Sequence, residues 1–349
     1  MLWAERAEAA QRSLNDHFWN PEIDMYNIET PCLNGACNTI FHYWWMAHAV
    51  DVLVDGWLRT GEARYAETLA ALHDGIRKRN GGAYPNELYD DMEWMAIAWL
   101  RAYQATGVQA YKETALILWE DIKTGWNDQM GGGIAWQKSQ LDYKNTPANA
   151  PAVILAARLY DSFGQEADLD WARRIYDWQT AHLVDPESGF VWDGMNRNGD
   201  GVIDKDWKFT YCQGVYIGAA VELNRVTGNP QYLRDAYKTA AAAEEELVDP
   251  ATGMLPDEED GDGGLFKGIF VRYLAELALA GDTDDRAIQL LHLNAVMLWE
   301  KGMNAQGLIG TDWSFPPKGT VSLSSQLSGV KLLERMAVLE KQGKIPLEV

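Results

Sequence analysis

What the 349-residue chain lacks narrows its function first. It has three cysteines, Cys32, Cys37 and Cys212. That is too few for a disulfide framework, and an odd count fits a reducing compartment. No apolar run approaches the ~18 residues of a membrane span. The opening Met1-Leu-Trp-Ala-Glu-Arg6 has no basic stretch followed by an apolar core, so a cytoplasmic location is expected. Basic residues are scarce: 30 Lys and Arg stand against 51 Asp and Glu, a formal charge of −21. Such a surface repels phosphate backbones and anionic lipid, so neither nucleic acid nor a membrane is expected as a partner. Also missing are a Gly-x-Ser-x-Gly elbow, a phosphate-cradling loop, a dinucleotide fingerprint and any zinc spacing among the six histidines. The expectation is hydrolysis with no cofactor and no metal.

What the chain has in excess is Trp and Tyr, 16 and 15 against 8 Phe. Both offer a flat apolar face with a hydrogen-bonding edge, which suits sugars. A loose repeat also runs through it. Helix-like stretches stop at Thr60-Gly61, Thr106-Gly107, Phe163-Gly164, Thr227-Gly228 and Ala280-Gly281, and Gly just past a helix accepts the left-handed closing conformation. Before each stop lies a mostly apolar segment, near 41–58, 91–105, 148–162, 213–226 and 267–279, with 325–341 as a sixth. One-sided segments follow near 62–79, 108–123, 166–182, 229–247 and 284–300, with 2–18 as a first copy. A helix apolar all round belongs inside and a one-sided helix outside. The pattern predicts an all-α fold, an (α/α)6 barrel of six inner and six outer helices. Length alone suggests two domains, but one barrel uses residues 1–349 as a single domain. The long loops, such as 126–136 and 185–193, lead into the inner helices and place a cleft at their N-terminal ends.

The strongest chemical candidate is Tyr89-Asp-Asp-Met-Glu-Trp94, where a loop enters the second inner helix. Adjacent Asp90 and Asp91 read blandly as helix-start acids that complement the dipole. They also read as a glycosidase pair. A retaining enzyme needs carboxyls about 5–5.5 Å apart, within reach of neighbouring residues and closer than inversion requires. Two such charges cannot both ionise easily, so one acid keeps its proton.

The run from Tyr89 to Gly107 resembles the signature of glycoside hydrolase family 76, the endo-α-1,6-mannanases. Three further segments are similar in the same order: Tyr143-Lys-Asn-Thr-Pro-Ala-Asn149, Tyr211-Cys-Gln-Gly214 and Phe266-Lys-Gly-Ile-Phe-Val-Arg-Tyr273. The chain departs from the pattern at Met95, Cys212 and Pro147-Ala148. The resemblance implies an (α/α)6 barrel that retains configuration while cutting α-1,6-mannosidic linkages in mannan or manno-oligosaccharides. It places the nucleophile at Asp90 and the general acid/base at Asp91. Lys144, Asn145, Asn149, Tyr211, Gln213, Phe266 and Lys267 begin inner helices and are expected to reach sugar hydroxyls, with loop capping as the alternative for the amides. Tyr89 joins this set, Trp136 is a stacking platform, and Asp262 is expected opposite Lys267. Trp44, Trp45, Trp192 and Trp313 also sit in loops or at inner-helix starts. Other readings are a transglycosidase on the same site and an inactive carbohydrate-binding barrel. Asn196-Arg-Asn-Gly-Asp-Gly-Val-Ile-Asp-Lys-Asp206 resembles half a calcium loop but has Trp207 where a bidentate Glu belongs, so it reads as a solvated turn.

Overall fold

The computed structural model describes residues 2–345 apart from Asn34, Ala36 and 282–284. Among the described residues there are twelve α-helices: α1 (Leu2–Phe18), α2 (Tyr43–Thr60), α3 (Ala63–Arg79), α4 (Tyr89–Thr106), α5 (Gln109–Lys123), α6 (Ala150–Phe163), α7 (Glu166–Leu183), α8 (Thr210–Thr227), α9 (Pro230–Leu247), α10 (Gly263–Ala280), α11 (Asp285–Met297) and α12 (Leu323–Lys341). Eleven of these match the expected segments to within a few residues. The last outer helix, expected near 284–300, gives way to a π turn over Leu298–Gly302, and residue 284 lies outside the described set.

Apolar content sorts the helices as expected. Every residue from Asp91 to Leu100 of α4 and from Val321 to Ala337 around α12 is buried, whereas α9 buries only Ala236, Thr239, Ala242 and Ala243. The Thr-Gly stops have a common mechanism. Thr60, Thr106 and Thr227 donate their hydroxyls to the carbonyls of Gly56, Ala102 and Leu223, at 2.9, 2.7 and 2.6 Å. Each hydroxyl oxygen then accepts the backbone N–H two residues on, which turns the chain out. Gly61, Gly107, Gly164 and Gly228 close these helices with φ of 69, 74, 70 and 69°. Gly281 differs: its φ of −94° and ψ of 155° are extended, so no left-handed closure demands glycine there.

The chain groups into two compact units, Met1–Ala83 with Val248–Val349, and Tyr84–Leu247. In the first, inner helix α12 packs between α10 and α2, with α11, α1 and α3 as outer partners. Glu340 near the end of α12 accepts the backbone N–H of Leu2 and Trp3, at 3.0 and 3.2 Å, joining the last helix to the first. Asp51 and Asp55 of α2 form a buried ionic cluster with Arg272 of α10 and Lys331 and Arg335 of α12. In the second unit, inner helix α6 packs between α4 and α8, each with its hairpin partner, α7, α5 and α9.

The connecting loops carry small antiparallel strands that were expected only as loops. Residues 135–137, 140–145 and 194–195 form a three-stranded sheet, and 29–30 pairs with 321–322. At two to six residues, they are too short to show an alternating pattern in the sequence. Cys32 and Cys37 are joined by a disulfide, and Cys212 is a buried thiol outside that bridge. No described helix is long and apolar enough to cross a membrane.

Candidate active site

In the second unit, Asp90 and Asp91 lie in the first turn of α4, whose cap residue Leu88 makes no side-chain cap bond. Asp91 is 8% exposed and Asp90 is half-buried. The strand pair carrying Trp136 is pinned to this helix start. Gln137 bridges Leu88, and the Lys138 N–H donates to the Glu87 carbonyl at 3.1 Å. That docking brings the Trp136 indole N–H to Asp90 Oδ2 at 3.1 Å, while the Asp91 backbone N–H donates to Asp90 Oδ1 at 2.8 Å. Both Asp90 oxygens therefore accept an N–H, an arrangement that favours its charged form. Trp136 stands edge-on to Tyr143, with ring centroids 5.7 Å apart.

One turn beyond Asp90, Glu93 is fully buried, and among the described residues neither carboxyl oxygen has a hydrogen-bond partner. Burial, and then the charge of Asp90, hold its carboxyl well above the usual range; the Ala152 N–H in the first turn of α6 opposes this only from beyond hydrogen-bond geometry. The protonated form of this acid, one turn beyond Asp90, is thus the favoured one. The same unit holds a second buried acid that the sequence did not single out. Asp193 is 3% exposed and accepts the hydroxyls of Tyr211 at 3.0 Å and Tyr143 at 3.2 Å, with Arg197 Nη2 at 2.7 Å. Burial raises the Asp193 carboxyl, and Arg197 and the hydroxyls pull it back. Burial and the Asp193 and Asp90 charges all push the Tyr211 hydroxyl up, which ties this cluster electrostatically to Asp90. Gly194 permits the arrangement, since a Cβ there would sit 2.7 Å from the Tyr143 hydroxyl.

Several residues placed to reach sugar hydroxyls are spent on the backbone, which for the amides is the loop-capping alternative. Asn149 is fully buried; its Oδ1 accepts the Ile134 N–H at 2.8 Å and its Nδ2 donates to the Ile134 carbonyl at 2.9 Å. Gln213 holds Val191 by the same two-way bond, at 2.8 and 2.7 Å. Gln326 in the first unit repeats it with Ile309 N–H and Gly307 carbonyl, at 2.9 and 3.2 Å. The amide is a device that ties each incoming loop to an inner helix. Asn145 caps the turn that follows it through the Ala148 N–H, at 3.1 Å. Lys144, fully buried, donates to the Gly133 carbonyl at 2.6 Å, and burial lowers its ammonium to about 8. Tyr89 is buried against the scaffold, its hydroxyl 3.2 Å from Thr124 Oγ1. Trp136 and Tyr211 are the expected ligand residues that the structure brings to the Asp pair.

The first unit gathers the rest. Asp262 Oδ1 accepts the indole N–H of both Trp44 and Trp45, at 2.9 and 2.8 Å, and Phe266 lies 6.5 Å from Trp44, centroid to centroid. Lys267 does not face Asp262 as expected. It is 2% exposed, donates to the Thr311 carbonyl and lies 4.5 Å over the buried Trp313 ring; burial lowers its ammonium to about 8. Trp45 and Trp313 are core residues, whereas Trp44 and Trp192 keep part of their surface. In the 196–206 turn, Asn196 Oδ1 accepts the Gly201 N–H at 2.8 Å and Asp204 accepts from Arg197 at 3.1 Å, so protein donors already use these oxygens. Among the described residues no cluster of His, Cys, Asp or Glu is placed to hold a metal.

Paired inner and outer helices with consecutive acids at an inner-helix start define the class: a helical glycosidase of the (α/α)6-barrel type. The family model for glycosyl hydrolase family 76 matches residues 2–347, and the chain belongs to that family. The α-1,6-mannanase of a Salegentibacter species superposes with a TM-score of 0.92 at 44% identity, covering 97% of this chain and 99% of that one. An inactive variant of that mannanase, with two consecutive aspartates changed to alanine, holds α-1,6-mannotetrose and matches with a TM-score of 0.91 at 43% identity, again over 97% and 99%. Among curated proteins, a mannan endo-1,6-alpha-mannosidase of Candida glabrata is 27% identical over 61% of this chain and 47% of its own length. One of Saccharomyces cerevisiae is 24% identical over 74% and 57%. The chain thus spans about half the length of these curated relatives.

Proposed function

We propose that the chain is a retaining glycoside hydrolase acting on α-1,6-mannosidic linkages of mannan or manno-oligosaccharides, with Asp90 as nucleophile and Asp91 as general acid/base. The observation that carries this is the pair of N–H donors on Asp90, from Trp136 and from Asp91 itself. They favour an ionised carboxylate poised to attack, while Asp91, on the same first turn, is the buried neighbour able to bring a proton. Further support comes from the mannanase whose inactive variant lacks two consecutive aspartates.

In the first step an Asp90 oxygen bonds to the anomeric carbon, the glycosidic C–O bond breaks, and the Asp91 proton goes to the departing oxygen. In the second, Asp91 takes a proton from water, the water oxygen bonds to the anomeric carbon, and the Asp90 ester bond breaks. Burial and the Asp90 charge both favour the protonated form of Glu93, the form that places no second negative charge next to Asp90. Asp90→Asn and Asp91→Asn are each expected to lower reducing-sugar release from α-1,6-mannan at least a thousandfold. Unchanged release from either variant overturns the assignment. Products longer than the donor would mark transfer to a second sugar.

A further inference from the structure

The loop entering α12 forms a pocket of about 230 Å³ in the first unit, lined by Asp260, Asp312, Phe315, Lys318, Thr320 and Ser322 among others. Its volume lies below the ~300–1,000 Å³ of sites for drug-sized ligands, so it suits one ring rather than a peptide or a protein edge. Phe315 is 68% exposed, so most of its ring is open to a ligand. Neither Asp260 nor Lys318 spends its charged group on a hydrogen bond or ion pair within the described residues. An apolar ring face beside a free carboxylate, a free ammonium and a threonine hydroxyl is the equipment that reads a pyranose: its C–H face packs on the ring, and its vicinal hydroxyls meet the charged groups.

The pocket walls are fixed before any ligand arrives. Buried Lys267 holds the Thr311 carbonyl and lies over Trp313, which anchors the stretch just before Phe315. Asp312 Oδ1 accepts the Ser314 N–H at 2.7 Å. On the other side, residues 321–322 pair with 29–30, the Leu323 N–H donates to the Ile28 carbonyl at 2.8 Å, and Pro316-Pro317 stiffen the rim. A site so braced loses little conformational freedom on binding. Lys267 thereby braces one wall of this pocket.

We propose that this pocket is a subsite for a single mannopyranose unit of the glycan, with Phe315 as its stacking platform and Asp260 and Lys318 as its hydroxyl readers. The proposal rests on the glycosidase reading above for the identity of the sugar. The test uses the full chain carrying Asp90→Asn and Asp91→Asn, so that ligand is not consumed. Isothermal titration with α-1,6-mannotetraose is compared before and after Phe315→Ala, and again after Lys318→Ala. Because both side chains are exposed, the melting temperature is expected to stay within about a degree, and the comparison reads binding alone. Each variant is expected to weaken tetraose binding about tenfold or to remove one binding event per chain. Equal affinity and stoichiometry in all three proteins overturns the subsite and leaves the glycosidase reading standing. No tetraose binding by the parent protein overturns the mannan reading, and the mannose subsite with it.

Discussion

The contact between Trp136 and Asp90 gives a quantitative test of how the nucleophile is held. Trp136→Phe removes the indole N–H that reaches Asp90 Oδ2 at 3.1 Å but keeps an aromatic ring against Tyr143. A hydrogen bond to a charged group contributes about 1.5–3 kcal/mol. Asp90 is half-buried, so solvent screening places the loss near the lower end. At about 1.4 kcal/mol per decade, the expected fall in kcat/KM is roughly tenfold. The second donor, the Asp91 N–H, remains and prevents a larger loss. Because the lost donor favoured the charged carboxylate, the acid limb of the kcat/KM profile is expected to move to higher pH. The assay is the initial rate of reducing-sugar release from α-1,6-mannan between pH 4 and 8, with melting temperature as the control. A kcat/KM within twofold of the parent and an unmoved acid limb would refute the claim that Trp136 supports an ionised Asp90.

Other consequences concern the protein around the pair. Glu93 titrates higher in the fold than in the unfolded chain, so the folded state holds the extra proton and stability falls as pH rises from about 4.5 toward the folded value. Glu93→Gln is expected to flatten that slope, up to about 1.4 kcal/mol per pH unit, in urea titrations at successive pH values; parallel curves would contradict the buried neutral acid. Asp55→Ala strips a fully buried carboxylate from Arg272 and Arg335 and is expected to cost about 3–5 kcal/mol, read from the urea midpoint; a loss under about 1 kcal/mol would mean the cluster is not a stability element. The Cys32–Cys37 bridge predicts one titratable thiol in denaturant without reductant, that of Cys212, and three after reduction. Three thiols before reduction would instead match the reducing compartment suggested by the odd cysteine count.

The helical frame was legible because each of its signals is local. Apolar content separates α4, α6 and α12 from one-sided α9, and the Thr-Gly pairs mark three helix ends through bonds made within five residues. Gly281 shows the limit of that signal, since a glycine in the right place can still leave the helix extended. The Asp pair was legible for the same reason, as adjacency and helix start are both properties of sequence. Which of two open roles Asn149 and Gln213 take, and the role of Lys144, were not. A polar residue entering an inner helix looks the same whether it faces a sugar or the carbonyl of Ile134, Val191 or Gly133, and only the path of the incoming loop decides. Asp193 was hidden because its partners Tyr143, Arg197 and Tyr211 come from three separate stretches of chain. Glu93 was not singled out, although its position three after Asp90, within an apolar run, was a usable sign of burial.

The most direct measurement is the configuration of the sugar at the moment it is released. Proton NMR during hydrolysis of an α-1,6-manno-oligosaccharide, faster than mutarotation, reads the anomeric signal of the new reducing end. Attack by Asp90 followed by water from the opposite face, the one the leaving group vacated, predicts that the α-anomer appears first and the β-anomer only as mutarotation proceeds. Appearance of the β-anomer first would show single displacement by water, and would contradict a covalent role for Asp90.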